Sequence, residues 1–306
     1  MTRSSSIAVV AAAFATLAMT PVAHAQQPAS PDSSGYVAAN GVNYWYEIHG
    51  KGEPLLLLHG GLFSTGMFGP TLTTLAQTRR VIGVDLHGHG RTALGERQKI
   101  SLVDIGRDLA VVVQKLGLRQ VDVMGYSFGA GAGMQLAFQH PELVRRLVVV
   151  SAPYAQNGFF AEMLPQQAAV SAAMADAMKE TPIYKSYAAI APRPQDFPRL
   201  LDAMGEYMRQ PYDWSASVKQ LSMPVMLVFG DADMIRPEHI VSFYQLLGGG
   251  LRDAGWTREH MSRNRLAILP NLTHYEMGTA PILVSTVVSF LDAPSDVKGG
   301  AGSSRQ

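Results

Sequence analysis

One serine of this 306-residue chain lies in a pattern that can make it a nucleophile. The segment Gly125-Tyr126-Ser127-Phe128-Gly129 matches G-x-S-x-G, and it follows a short apolar run, Val121 to Met124. A serine at such a tight strand-to-helix turn is exposed, and the turn needs glycine on both sides because side chains there would clash. The pattern therefore predicts that Ser127 attacks an electrophilic carbon.

A serine hydroxyl is a weak nucleophile until a base removes its proton. His274 follows the last apolar run of the chain, Leu266 to Leu269, which is where a base belongs in the order Ser, Asp, His. The acid that orients this base should follow the run Val225 to Phe229, and both Asp231 and Asp233 are candidates. Each aspartate is also a common turn residue, so the spacing alone leaves the choice open.

Attack by a serine on a carbonyl group creates an oxyanion, which needs preorganised N–H donors. One predicted donor is the backbone N–H of Phe128, directly after the serine. The other is the N–H of Gly61 in His59-Gly60-Gly61, which follows the apolar run Leu55 to Leu58. Glycine allows the backbone to approach a substrate closely, whereas His59 itself is interpreted as structural.

The segment Asp85-Leu86-His87-Gly88-His89-Gly90-Arg91 raises the question of a metal site. It lacks a metal-binding spacing such as H-E-x-x-H, and two histidines on a Gly-rich loop need not converge. We interpret it as a loop at the rim of the site, held by Asp85 and Arg91. The chain also lacks a G-x-G-x-x-G loop after its first strand and a Walker motif, so we expect neither a metal nor another cofactor.

The elements that must position these residues alternate along the chain. Short apolar runs that predict strands alternate with segments of helical periodicity, which indicates an α/β fold with a mostly parallel sheet covered on both faces. Chemistry gathers at the carboxyl ends of such strands, where all the motifs above lie. The predicted strands are Val42 to Ile48, Leu55 to Leu58, Val81 to Val84, Val121 to Met124, Leu147 to Val150, Val225 to Phe229 and Leu266 to Leu269, and the predicted helices are Ser101 to Leu116, Phe128 to Gln139, Glu238 to Leu247 and Pro281 to Leu291.

The alternation is interrupted between residues 154 and 220, where prolines separate helical patches. We predict that 154–220 is a cap inserted into a core formed by 36–153 and 221–293. The cap is rich in aromatic residues and methionine, which predicts an apolar pocket over Ser127. Residues 26–35 are predicted to be a linker, and the Gly- and Ser-rich residues 294–306 a disordered tail.

The N-terminus has the three-part pattern of a secretory signal. Arg3 precedes an apolar stretch, Ile7 to Met19, which is followed by the cleavage pattern Ala23-His24-Ala25. We predict a signal peptide over 1–25 and an exported protein, periplasmic or secreted. The apolar stretch has 13 residues, fewer than the ~20 that a membrane span needs, so no membrane span is expected after cleavage.

Composition excludes several classes of function. Apolar residues make up 47% and charged residues 16%, which suits a large core and not a disordered chain. The formal net charge is +1 without a run of basic residues, so nucleic acid is not an expected partner. The chain has no cysteine, which excludes disulfides, a thiol nucleophile and thiolate metal sites. The oligomeric state is not fixed by these observations.

Together, these signatures resemble the α/β-hydrolase superfamily, in particular its serine esterase, lipase and perhydrolase-like group. The resemblance runs from Gly41 to Leu291. It implies the α/β-hydrolase fold with an inserted helical cap and a triad of Ser127, His274 and Asp233, because the family's acid stands three residues after the glycine at Gly230. Relatives with an aspartate nucleophile are disfavoured by Ser127, and proline iminopeptidases are disfavoured because Leu62-Phe63 follow Gly61 where they carry Pro-Gly.

The predicted function is an exported carboxylic ester hydrolase that forms an acyl-enzyme on Ser127 and acts on small apolar or aromatic esters. Three alternatives remain open. One is a lactonase or amidase with the same triad, and another is a cofactor-independent perhydrolase or haloperoxidase. The third is a non-catalytic binding protein, which the complete triad disfavours because a binder has no need of it.

Overall fold

The computed structural model of the protein describes residues 30 to 294. The predicted signal peptide, the first four residues of the predicted linker and nearly all of the predicted tail lie outside these residues. The described chain is built on one sheet of eight strands in the order β1-β2-β4-β3-β5-β6-β7-β8. The strands are β1 (Ser33–Ala39), β2 (Val42–His49), β3 (Glu53–Leu58), β4 (Arg79–Val84), β5 (Val121–Tyr126), β6 (Val144–Val150), β7 (Val225–Ala232) and β8 (Arg265–Thr273).

Strands β3 to β8 are parallel, and β1 and β2 extend the sheet in antiparallel fashion. Side chains of a strand alternate between the two faces, and both faces are buried here. In β3, Leu55 and Leu57 belong to one core, and Leu56 and Leu58 to the other. The unbroken apolar runs of the sequence therefore mark central strands, as predicted.

Helices cover both faces of the sheet. Two helices, over residues 70–75 and 281–291, pack on one face, and three, over 102–115, 128–139 and 237–246, pack on the other. Helix α2 begins after Ser101, whose side chain accepts a hydrogen bond from Asp104 N. These core helices are α1 (Pro70–Leu75), α2 (Leu102–Lys115), α3 (Phe128–Gln139), α9 (Pro237–Leu246) and α10 (Pro281–Leu291).

The cap lies between β6 and β7 and consists of short helices, with one longer helix, α7. Its two ends are joined, because Ala155 and Asp213 form an antiparallel bridge. Trp214 N donates to Tyr154 O at 2.9 Å beside this bridge. The cap helices are α4 (Met163–Ala168), α5 (Ala175–Met178), α6 (Pro182–Ile190), α7 (Phe197–Arg209) and α8 (Ser215–Val218).

Two elements were missed in the sequence, and one predicted boundary was wrong. Strand β1 begins at Ser33, so the last three residues of the predicted linker 26–35 belong to the sheet. Its first residues are polar and exposed, which hides the strand pattern. The signal that could have found it is Asn40-Gly41 between β1 and β2, where φ is 47° and 87°, because this dipeptide favours tight hairpin turns. Helix α1, the second missed element, has only six residues.

No helix within residues 30–294 combines the length and the apolar character that crossing a membrane requires. The segment between α9 and β8 contains neither helix nor strand, and Trp256 within it is fully exposed.

Candidate active site

Ser127 lies at a sharp turn between β5 and α3. Its φ of 52° is in the left-handed region, which is strained for a residue with a side chain. The turn is also crowded: a Cβ on Gly125 would lie 2.4 Å from Gly129 O, and one on Gly129 would lie 2.3 Å from Leu58 O. The two glycines of the motif are therefore required by close backbone contacts, as the sequence pattern predicts.

The structure brings His274 to this serine across 147 positions of the chain. His274 Nε2 lies 3.1 Å from Ser127 Oγ, within hydrogen-bond distance. The loop that carries His274 is fixed by Tyr126, whose hydroxyl donates to His274 O at 2.6 Å. The residue before the serine thus holds the histidine loop in place.

The other ring nitrogen of His274 contacts the acid predicted from the sequence. His274 Nδ1 lies 3.0 Å from Asp233 Oδ1, and both side chains are buried. Ser151 donates a second hydrogen bond, from Oγ to Asp233 Oδ2 at 2.5 Å. Burial alone would raise the pKa of Asp233, but the hydrogen bonds and charge of His274, with the bond from Ser151, lower it. The carboxylate is therefore held ionised beside the imidazole.

Ser151 is a residue of the site that the sequence analysis missed. It directly follows β6, and its φ of 54° is left-handed like that of Ser127. Its position at the carboxyl end of a central strand was the available signal, since the other motifs occupy equivalent positions.

Asp231, the other candidate, lies apart from His274. It is exposed and accepts a hydrogen bond from Leu272 N at 3.3 Å, which joins the ends of β7 and β8. Hydrogen bonds from the backbone of Asn271 and Leu272 lower the pKa of Asp231. These contacts are typical of an aspartate that stabilises a turn.

The two predicted oxyanion donors lie side by side. A Cβ on Gly61 would be 3.7 Å from Phe128 Cβ, and both residues line the same cavity as Ser127 and His274. Phe128 is the first residue of α3, so its N–H has no acceptor within the helix. Neither N–H donates to another backbone group within residues 30–294. Both groups are therefore free to bind an oxyanion.

The three histidines in the loops after β3 and β4 each have at least one contact within the protein. His59 Nε2 accepts from Leu86 N at 2.9 Å, while Nδ1 contacts Gly60 O at 2.8 Å. His87 contacts Leu94 O and His89 contacts His87 O, each through one ring nitrogen. Within the described residues no group of three or more His, Cys, Asp or Glu side chains could hold a metal ion.

The loop that follows β4, residues 85–91, is held in place by Asp85. Its carboxylate accepts from Thr65 N at 2.8 Å and from Arg91 N at 2.9 Å. The side chain of Arg91 lies 3.6 Å from the same carboxylate. Asp85 and Arg91 therefore hold the loop in place, as predicted, but none of residues 85–91 lines the cavity beside Ser127, so the predicted position at the rim of the site is not observed.

A cavity of about 190 Å³ opens beside Ser127. Its far wall comes from the cap, with three methionines, Met163, Met204 and Met208, among the lining residues. None of the residues that line it is an Asp, Glu, Lys or Arg. The cavity is therefore a largely apolar chamber with the serine, the histidine and the two free N–H groups at one end.

Comparison with known proteins agrees with this architecture. A sequence model of the α/β hydrolase fold matches residues 53–249. A 2-hydroxymuconate semialdehyde hydrolase of Pseudomonas putida is 36% identical over 123 residues, 40% of this chain and 44% of that protein. Another, from Pseudomonas sp. strain CF600, is 28% identical over 236 residues, 68% and 80% of the two chains. The chain spans less than half the length of the first curated relatives that it matches.

Solved structures show the same fold at low sequence identity. E-2-(acetamidomethylene)succinate hydrolase superposes with a TM-score of 0.67 at 19% identity, covering 85% of this chain and 99% of that one. Carboxylesterase CesB from Bacillus subtilis superposes with a TM-score of 0.66 at 19% identity, covering 94% and 97%.

Proposed function

Because this chain belongs to the α/β hydrolase fold family, we propose that it is a serine hydrolase that cleaves uncharged carboxylic esters. The observation that carries the proposal is the continuous contact from Ser127 Oγ to His274 at 3.1 Å and from His274 to Asp233 at 3.0 Å. This arrangement faces a cavity with two unengaged N–H groups. A pure binding protein would need none of these contacts.

In the proposed reaction, Ser127 Oγ attacks the ester carbon while His274 Nε2 takes its proton. The N–H groups of Gly61 and Phe128 donate to the oxyanion. The bond to the alcohol oxygen then breaks, and the protonated His274 gives its proton to the leaving alcohol. An acyl-enzyme on Ser127 remains.

The acyl-enzyme is released by water. His274 takes a proton from the water as the water oxygen attacks the acyl carbon. It then gives this proton to Ser127 Oγ, and the acid leaves. Asp233 stays ionised throughout, holds the Nδ1–H tautomer and stabilises the imidazolium. The lowered pKa of Asp233 supports this role.

The substrate class follows from the lining of the cavity. Without a charged side chain in the wall, a charged acyl group would lose its hydration and gain no counter-charge. Apolar and aromatic groups fit the methionine-rich wall. The esterases and hydrolases among the similar proteins support hydrolysis of this general kind.

The test combines labelling with a substrate screen. An active-site phosphonate should label Ser127 once per chain, and Ser127→Ala should lose both label and turnover, by on the order of a million-fold. Ser242→Ala is the matched control, because its hydroxyl contacts Tyr154 outside the cavity. Neutral esters should react faster than matched charged esters. A folded wild-type protein that neither labels nor hydrolyses any ester would contradict the proposal.

The same screen separates the alternatives. Lactones and amides of matched size test for a lactonase or amidase, and peroxide-dependent formation of peracid tests for a perhydrolase. We also propose export, from the signal pattern over 1–25. The intact mass of the exported protein should correspond to a chain that begins at Gln26, and a retained Met1 would contradict it.

A further inference from the structure

Two tyrosines in the wall of the cavity have hydroxyl groups with no role in the proposed reaction. Tyr207 and Tyr212 both line the cavity, and both are largely enclosed. Neither hydroxyl makes a hydrogen bond to another residue of the described chain, 30–294. A ligand that fills the cavity without accepting hydrogen bonds from these hydroxyls would leave them unpaired, at a cost of about 1–3 kcal/mol each.

Aromatic contacts hold the rings of both tyrosines in place. Tyr207 stands on α7, and its ring meets the ring of Phe128 edge-on at 5.4 Å between centroids. Tyr212 lies just beyond the same helix, and its ring tilts against Trp214 at 4.5 Å. These contacts involve the rings only, so the hydroxyl of each tyrosine is left without a partner among the described residues.

Both side chains act as neutral donors. Burial raises the pKa of Tyr207 and of Tyr212 above the ordinary value for tyrosine. The two rings are also close enough that a negative charge on Tyr207 would further raise the pKa of Tyr212. Each phenol therefore keeps its proton and can donate it in a hydrogen bond.

Gln156 and Gln166, two other polar side chains of the wall, donate to backbone carbonyl groups, while Gln167 and Tyr275 also line the cavity. The amide of Gln156 already donates to Met208 O at 3.3 Å. An anionic group in the cavity would meet no Lys or Arg among the lining residues. The partner that satisfies both hydroxyls without cost is an uncharged hydrogen-bond acceptor.

We propose that Tyr207 and Tyr212 form a second polar contact point, which binds an ether, ketone or similar neutral oxygen on the non-reacting part of the substrate. The proposal rests on the proposed ester hydrolysis and narrows its substrate class. A site built to hydrogen-bond such an oxygen discriminates against an apolar analogue of the same shape, because its hydroxyls then stay unpaired.

The test uses pairs of aryl esters in which a methoxy group replaces an ethyl group, on the acyl part or on the alcohol part. In wild-type protein, kcat/KM for the methoxy member of at least one pair should exceed that for the ethyl member by about fivefold. In Tyr207→Phe/Tyr212→Phe this ratio should fall close to one. Tyr187→Phe is the matched control, since Tyr187 is a buried cap tyrosine outside the cavity wall, and it should keep the wild-type ratio.

A binding measurement separates this proposal from the proposed function. Calorimetry with Ser127→Ala should show tighter binding of the methoxy ester, and the two Tyr→Phe changes should remove the difference. Discrimination in binding without any hydrolysis by wild type would support the contact point and contradict the esterase. Equal rates and equal binding for every pair would overturn the contact point. A fall in Tm for the double variant but not for Tyr187→Phe would also overturn it, since the hydroxyls would then have structural partners.

Discussion

Asp231 and Asp233 are two residues apart, yet they lie in different surroundings. Asp233 is buried against His274 and Ser151, whereas Asp231 is exposed and joins two strand ends. Asp233→Asn should keep the packing but lose control of the imidazole tautomer, at a cost of about 10⁴-fold in kcat, by analogy with serine proteases. Asp231→Asn should change kcat little and lower Tm. Steady-state kinetics of the two folded variants measures both effects. If Asp231→Asn lowers kcat more than Asp233→Asn does, Asp231 is the acid instead.

The hydroxyl of Ser151 positions the acid. Ser151→Ala should lower kcat roughly tenfold, because a hydrogen bond to a buried carboxylate is lost and Asp233 can turn away from His274. KM should change less than kcat, since the hydroxyl of Ser151, although at the cavity wall, is already engaged by Asp233. Ser242→Ala again serves as the control. An unchanged kcat, or a loss that appears in KM instead, would show that Ser151 does not position the acid.

The sequence identified the candidate reacting residues but not the residues that hold them in position. Ser127, His274 and the two aspartates each follow a recognisable strand in a known order. Ser151 follows a central strand, but the sequence does not show which group it contacts, because its partner lies 82 positions away. Tyr207 and Tyr212 are similarly hidden, since tyrosines in a helical insertion are more often part of its core.

At the scale of elements, the turn between β5 and α3 depends on glycines that face backbone atoms. In Gly129→Ala the new Cβ would lie 2.3 Å from Leu58 O, which cannot rotate away as a side chain would. The free energy of unfolding should fall by about 2 kcal/mol or more, despite the higher helix propensity of alanine. Urea unfolding followed by circular dichroism measures it.

Gly66→Ala is the control for this variant. A Cβ on Gly66 would meet only Ser64 Oγ, at an ordinary 3.6 Å. Its free energy of unfolding should stay close to that of wild type. If Gly129→Ala proves as stable as Gly66→Ala, the close contact with Leu58 does not constrain the turn.

The elements themselves were largely predictable, for physical reasons. Buried parallel strands give unbroken apolar runs, and α2, α3 and α10 have clear helical patterns with recognisable ends. Strand β1 lies at the edge of the sheet and buries few residues, so its pattern is weak. The cap was recognised as an insertion, but the short helices within it depend on packing against one another, which leaves little periodicity in the sequence.

At the scale of the whole molecule, buried histidines make stability depend on pH. Burial, with the nearby charge of Arg236, lowers the pKa of His239 to about 4, whereas an unfolded histidine titrates near ~6.5. Between these values the unfolded chain binds a proton that the folded protein does not. The stability from neutral His239 is therefore complete above pH ~6.5 and declines as the pH falls toward ~4.

We expect the free energy of unfolding to fall less steeply with decreasing pH in His239→Gln than in wild type. The difference in slope should approach about 1 kcal/mol per pH unit between pH ~6.5 and ~4.5. Urea unfolding at several pH values measures it. His260→Gln, at an exposed position, should keep the wild-type slope. Parallel curves for all three proteins would contradict the assignment.

The bridge between Ala155 and Asp213 has a consequence for how such molecules diversify. Because this bridge holds the two ends of the insertion side by side, their separation does not depend on the length of the segment between them, and the entropy cost of closing a longer segment rises only slowly. The intervening segment can lengthen, shorten or be transplanted from another protein without separating β6 from β7. Ser127, Asp233 and His274 all lie outside the segment that this junction closes, so the chamber can be redesigned while these three residues stay in place.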